Sequence, residues 1–202
     1  MTNKYYKNIL YGFALILITI VFITSCDTGV QSSPKPGVLK IILQSDPTDT
    51  SIIIIKDTIT VSNGDYFKTT VFQGKAYSDS IFAILYPTIE SYRQEDKIIN
   101  VIERENNTYK PHTIFESYVP PGNYTSIVFG MTADLLHINI FDIPVELPPD
   151  VPKLVTLPVG FKISENATTE IKVQLSPFKS VQRYRDTYYF DRKLEIVDVK
   201  YF

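Results

Sequence analysis

Apolar residues fall into two regimes along this chain. From Ile9 to Ile23 they run without a charge; after Cys26 they alternate with polar residues at the strand period. Leu39, Ile41 and Leu43 alternate with Lys40, Ile42 and Gln44, which predicts a strand over Val38–Gln44, stopped by Ser45-Asp46-Pro47. Ile52 to Val61 reads as the next strand, with Asp57 on its apolar face either displaced by a bulge or paired. Asn63-Gly64-Asp65 predicts a hairpin turn into Tyr66–Phe72, and Gln73-Gly74-Lys75 another into Ala76–Tyr86. Strands follow over Lys97–Glu103 and His112–Tyr118. Pro121-Gly122 suits the centre of a type II turn, in which Gly supplies the positive φ, ahead of Ile127, Phe129 and Met131 on one strand face.

Leu136, Ile138 and Ile140 alternate with His137, Asn139 and Phe141. Four prolines keep Asp142–Pro152 out of a central strand and predict a stiff crossover or edge loop. Val155–Ile163 alternates again, Glu165-Asn166 turns, and Ile171, Val173 and Leu175 mark a half-buried antiparallel strand. Ser176–Thr187 reads as irregular, and Tyr188–Tyr201 as the last one or two strands. No helix-period stretch and no long repeat follows Cys26. Short strands with frequent turns predict an all-β chain, an antiparallel β-sandwich.

The first regime sets the compartment. Lys4 and Lys7 precede the apolar run, and small residues close it, which is the layout of a secretory signal helix. The run is 15 residues long, short of the roughly 20 that cross a bilayer. No cluster of Lys or Arg follows. Ile23-Thr24-Ser25-Cys26 resembles the lipobox of bacterial lipoproteins. That resemblance implies that Cys26 carries a diacylglycerol thioether, gains further acyl chains such as palmitate and becomes the new N-terminus, several chains holding far better than one. The competing interpretation is an uncleaved signal anchor. The expected organisation is a signal peptide over 1–25, a flexible lipidated tether over 26–37 and a β-sandwich domain over 38–202. The domain would sit at a bacterial cell membrane or outer membrane, facing periplasm or exterior.

Charge narrows the partners. Loss of Lys4 and Lys7 takes the formal charge from −2 to −4. A mildly acidic chain is a poor nucleic-acid binder, and its whole-chain charge argues against electrostatic docking on anionic lipid. Cys26 is the single cysteine, so no disulfide forms within the domain and its stability rests on a core. Trp is absent, which weighs against a tryptophan platform for sugars.

Gly37-Val38-Leu39-Lys40-Ile41-Ile42-Leu43, closing on Asp46-Pro47, is similar to the opening of an uncharacterised domain-of-unknown-function family of bacterial lipoproteins. Pro121-Gly122-Asn123-Tyr124-Thr125-Ser126-Ile127 resembles that family's turn and strand. Phe161–Ile163, Thr169–Leu175, Tyr189 and Leu194–Val199 resemble its closing strands. The resemblance implies a transthyretin-like or immunoglobulin-like sandwich on an envelope surface, and carries no functional residues.

Candidate chemistry is sparse. The two histidines, His112 and His137, lie outside any catalytic motif, and His137 reads as solvated or hydrogen-bonded. Asp142, Glu146 and Asp150 share a rigid stretch, and Asp46 and Asp49 flank Pro47, without the order of a calcium loop. No cofactor or metal is expected. Arg183, Tyr184, Arg185 and Tyr188 are the candidate ligand-binding residues, since arginine and aromatic rings on a loop can stack on a sugar or hold an acidic group. Strand-face packing is the plain alternative for those tyrosines. The function this supports is a non-catalytic binding module for a protein or glycan partner in the envelope. The alternatives are a structural or assembly subunit, fimbrial or accessory to an outer-membrane complex, a glycan-binding domain, or a hydrolase of unrecognised type.

Overall fold

The computed structural model describes residues 33–79 and 81–202. The expected signal peptide, Cys26 and the first part of the expected tether lie outside the described residues. Every regular element among the described residues is a strand. In chain order these are β1 (Gly37–Ser45), β2 (Ser51–Ile54), β3 (Asp57–Thr60), β4 (Tyr66–Ser78), β5 (Ile81–Ile84), β6 (Lys97–Asn100), β7 (Arg104–Glu105) and β8 (Thr108–Tyr109). Then come β9 (His112–Val119), β10 (Gly122–Ile138), β11 (Phe141–Glu146), β12 (Leu154–Ile163), β13 (Thr168–Leu175), β14 (Val181–Tyr184), β15 (Thr187–Phe190) and β16 (Leu194–Tyr201).

The period-two pattern of β1 and β13 is what their sheet uses. They lie side by side in a four-stranded sheet of order β16-β13-β1-β9. Leu39, Ile41 and Leu43 pair in register with Thr169, Ile171 and Val173; all six are buried and all but the threonine are apolar. The pairing is parallel. β11 and β15 also pair in parallel. The expectation of a purely antiparallel arrangement is therefore corrected to mixed sheets. The turn at Glu165-Asn166, where Asn166 has φ 54, does not close a hairpin. It carries the chain from β12 in one sheet to β13 in the other, so the neighbours of β13 are set by burial of its apolar face.

β10 is the axis of the larger, eight-stranded sheet. Along one edge it pairs with β4 over Ser126–His137. Along the other it pairs first with β12, over Gly122–Gly130, and then with β11, over Leu135–Ile138. β4 in turn pairs with β5 and β6. The core joins the two sheets: Phe115 of β9 meets Phe129 of β10 edge-on at 6.1 Å between ring centres. Phe67 and Phe190 make a second edge-on pair at 5.3 Å.

Several local expectations are overturned, each for a stated reason. Gln73-Gly74 is a bulge inside the 13-residue β4, not a turn. Gln73 takes the left-handed region at φ 52, and a side chain at Gly74 would meet the Phe115 ring at 2.7 Å. Ile52–Val61 is a tight hairpin, β2 and β3, turning at Ile55-Lys56, so Asp57 is exposed and needs no partner on an apolar face. No described glycine has positive φ, so Gly122 does not serve a type II turn. It opens β10 after the Pro120-Pro121 link, and Tyr124 Oη donates to the Pro120 carbonyl at 2.9 Å.

Candidate functional site

The prolines of 142–152 do not keep the whole stretch out of a sheet. β11 lies between β10 and β15. Alternation buries Ile143 and Val145 and leaves Asp142, Pro144 and Glu146 exposed. Pro144 lies opposite Leu135 of β10, while pairing with β15 starts only at Val145. The imino nitrogen thus falls where β15 is not yet paired.

The stretch expected to be irregular is a hairpin. β14 and β15 pair through Arg183↔Tyr188 and Tyr184↔Thr187, with Arg185 at φ 57 in the turn. Parallel pairing of Val145 with Tyr188 seats this hairpin against β11. The β2–β3 turn closes a third side with Ile55, at φ 61. A β-branched residue held there is strained backbone at the rim of a site.

Together these elements enclose a groove of about 380 Å³. Ile54, Ile55, Phe141 and Pro144 supply apolar wall, and Asp142, Glu146, Asp186, Arg183 and Tyr188 supply polar groups. Of the four candidate ligand-binding residues, Arg183 and Tyr188 line the groove, while Tyr184 and Arg185 stand at the hairpin turn and stack on each other at 5.3 Å. Arg183 Nε donates to the Arg185 carbonyl at 2.8 Å, and its guanidinium lies 3.8 Å from Asp186 and 5.9 Å from the Tyr188 ring centre. Its charge is partly met from within the hairpin. Three carboxylates against one guanidinium make the groove an acidic one.

His137 of β10 does not line the groove but holds one of its wall residues, Asp142. It opposes Asp142 across the ladder, and its Nδ1–H donates to Asp142 Oδ1 at 2.6 Å. The imidazole stacks on Tyr66 at 4.8 Å, nearly parallel. His112 has separate partners: Nε2–H donates to the Asn100 carbonyl at 3.0 Å, and burial pushes its pKa down.

Asp46 and Asp49 are occupied in holding the chain. Asp49 accepts the N–H groups of Phe178 and Lys179 at 2.8 and 3.0 Å. Burial pulls the Asp46 pKa upward, but hydrogen bonds from the Thr48 hydroxyl and amide and from Lys179 outweigh it and hold the carboxyl below its usual range. Asp150 does not line the groove with Asp142 and Glu146. Among the described residues no three His, Cys, Asp or Glu converge on one metal position.

Sequence reasoning missed Ile54, Ile55, Phe141 and Pro144. Their assembly depends on the parallel β11–β15 pair, which leaves no local pattern; a tight turn opening on an isoleucine is the one trace. No family model, curated protein or solved structure matches this chain.

Proposed function

We propose that the chain is a bacterial envelope lipoprotein, held by acyl chains on Cys26, whose β-sandwich is a non-catalytic binding module with the groove beside β11 as its binding face. The observation that carries this is the convergence of Arg183 and Tyr188 with Asp142 and Glu146 around one groove of about 380 Å³. Both imidazoles are engaged by cross-strand or backbone partners, which favours binding over proton transfer.

The sandwich assignment is supported by the Phe115–Phe129 contact between sheets and by the Tyr124–Pro120 bond. A tyrosine at the start of a strand bonding back upstream is a habit of immunoglobulin-like sandwiches. The location is supported by the lipobox at Ile23–Cys26.

The geometry of β10 gives the module a direction. Its first residue, Gly122, follows Val119, which pairs with Gly37 where the tether joins the domain. Its last residues pair with β11, beside the groove. A strand of 17 residues spans roughly 50 Å at strand rise. The groove therefore sits at the end of β10 away from Gly37, and its acidic wall suits an apolar partner segment carrying basic groups. A photo-crosslinking residue in place of Tyr188, compared in intact cells with one in place of Val197 on β16, tests this. Specific adducts from position 188 alone are expected; equal adducts, or none, from both positions would remove the groove from the account.

A further inference from the structure

The outer face of the larger sheet has a composition unlike the rest of the chain near the tether. Opposed residues of an antiparallel ladder share a face. Three rows then cross the sheet: Ser126–Tyr77–Phe82, Val128–Lys75–Ile84, and Leu154–Gly130–Phe72, with Ile98 beside Thr70 in the next. Phe82, Ile84, Ile98 and Leu154 are 48, 41, 69 and 40% exposed. β5 is also the sheet's edge, and its sequence Ile-Phe-Ala-Ile bears no charge, whereas exposed edges are ordinarily guarded by charges or proline.

From the Asn123–Lys162 pair to the Thr132–Thr70 pair, these register positions hold Lys75 and Lys162 and no carboxylate. Lys75 Nζ lies 4.5 Å above the Phe82 ring, its stem along the apolar surface and its charge at the rim. Asp134, Asp142 and Glu146 lie at the other end of β10 and on β11. Asp79, in the β4–β5 turn, lies beyond the last row, and Glu95 and Asp96 stand just ahead of β6, outside the paired positions. The whole-chain charge, which argued against anionic lipid, conceals this segregation.

We propose that this face docks on an anionic lipid bilayer, with Phe82, Ile84 and their neighbours at the headgroup boundary and Lys75 and Lys162 against the headgroups. The inference rests on the membrane anchor proposed above. Ten residues separate Cys26 from Gly37, which reach at most about 40 Å when extended. Gly37 meets Val119 at the Gly122 end of β10, the end to which the cationic, apolar rows belong. An anchored domain is thus confined within reach of the bilayer, and the matching face belongs to the end of β10 beside Gly37.

The chain has no tryptophan and one cysteine, so a Phe82→Trp reporter is unique and Cys26 can be coupled to a maleimide-headgroup lipid. Residues 34–202 form one compact unit with the described core, so the mature chain, 26–202, is the protein to use. On vesicles containing phosphatidylglycerol, brominated lipid is expected to quench the reporter by about half, from a depth of about 5–10 Å. A Tyr184→Trp reporter on the distal hairpin is expected to stay unquenched. Lys75→Glu and Lys162→Glu, with circular dichroism unchanged, are expected to weaken docking by about five-fold each. An unquenched Phe82→Trp reporter would overturn the proposal. So would a reporter shielded without lipid in a chain that sediments as a dimer, since a second copy would then cover the face. Failure of the anchor reads separately, as a mass spectrum of the cell-derived chain without acyl groups on Cys26, while the coupled chain still reports on the face.

Discussion

The ring of Phe72 lies across Gly130, so close that a Cβ on the glycine would sit 2.2 Å from the ring. The two residues oppose each other in the β10–β4 ladder. Absence of a side chain at one position is what lets the other lie flat on the sheet.

Gly130→Ala is expected to cost about 1–3 kcal/mol, the usual penalty for overpacking. Combined with Phe72→Ala, which removes the obstructing ring, the loss should be smaller than the sum of the single losses. Urea unfolding of the four proteins in this cycle checks it. Strict additivity would mean that the strain lies elsewhere.

Asp65 holds two distant turns together. Its carboxylate accepts the Ser62 amide and hydroxyl at 2.6 and 3.0 Å and the Asn139 amide at 2.8 Å. It is buried, so removal leaves backbone donors without acceptors. Asp65→Ala should cost about 2–3 kcal/mol, and Asp65→Asn, which keeps one acceptor oxygen, should cost less. Because Asn139 starts the β10–β11 turn, amide exchange in that turn should speed up with the loss.

Alkaline pH should expose Tyr109. Burial is the main cause that pushes its phenol up to about 12, and its hydroxyl donates to the Asp49 carbonyl at 2.7 Å. The folded value lies above the unfolded one, so this stabilisation is complete below about pH 10. It is lost as pH rises from there toward 12. Unfolding free energies measured across that window should fall in the parent chain and be flatter in Tyr109→Phe.

Acid should act through Asp46. Its carboxyl is held below the usual range despite burial, so its contribution is present above the unfolded value of 3.8 and disappears as pH falls through the folded one. Asp46→Asn should lower stability at neutral pH and reduce the loss between there and strong acid. Thermal melts at a series of acidic pH values measure both.

What was legible in the chain was local. Alternation at Leu39–Leu43 and Ile171–Leu175 marked faces that are buried, because side-chain direction in a strand depends only on parity. Asn63-Gly64 and Glu165-Asn166 marked turns that exist, but the hairpin expected at Asn63-Gly64-Asp65 does not form: β3 pairs with β2, and β4 pairs with β10, β5 and β6. Partners were not legible. Gln73-Gly74 looked like a turn because its residues permit one, yet the ladder to β10 continues past it and absorbs it as a bulge. Arg183–Tyr188 looked like a loop because its polar residues conceal a pairing whose gain comes from β11.

The order of residues alone decided that the domain is built from strands and which positions of β1 and β13 face inward, since parity and turn chemistry act over a few residues. Tertiary structure alone decided the parallel pairing of β1 with β13, the bulged course of β4, the groove shared by β2–β3, β11 and β14–β15, and the gathering of lysines and apolar residues on one outer face. Each of these joins residues far apart in sequence through buried surface, and buried surface is a property of the assembled sheets rather than of any segment.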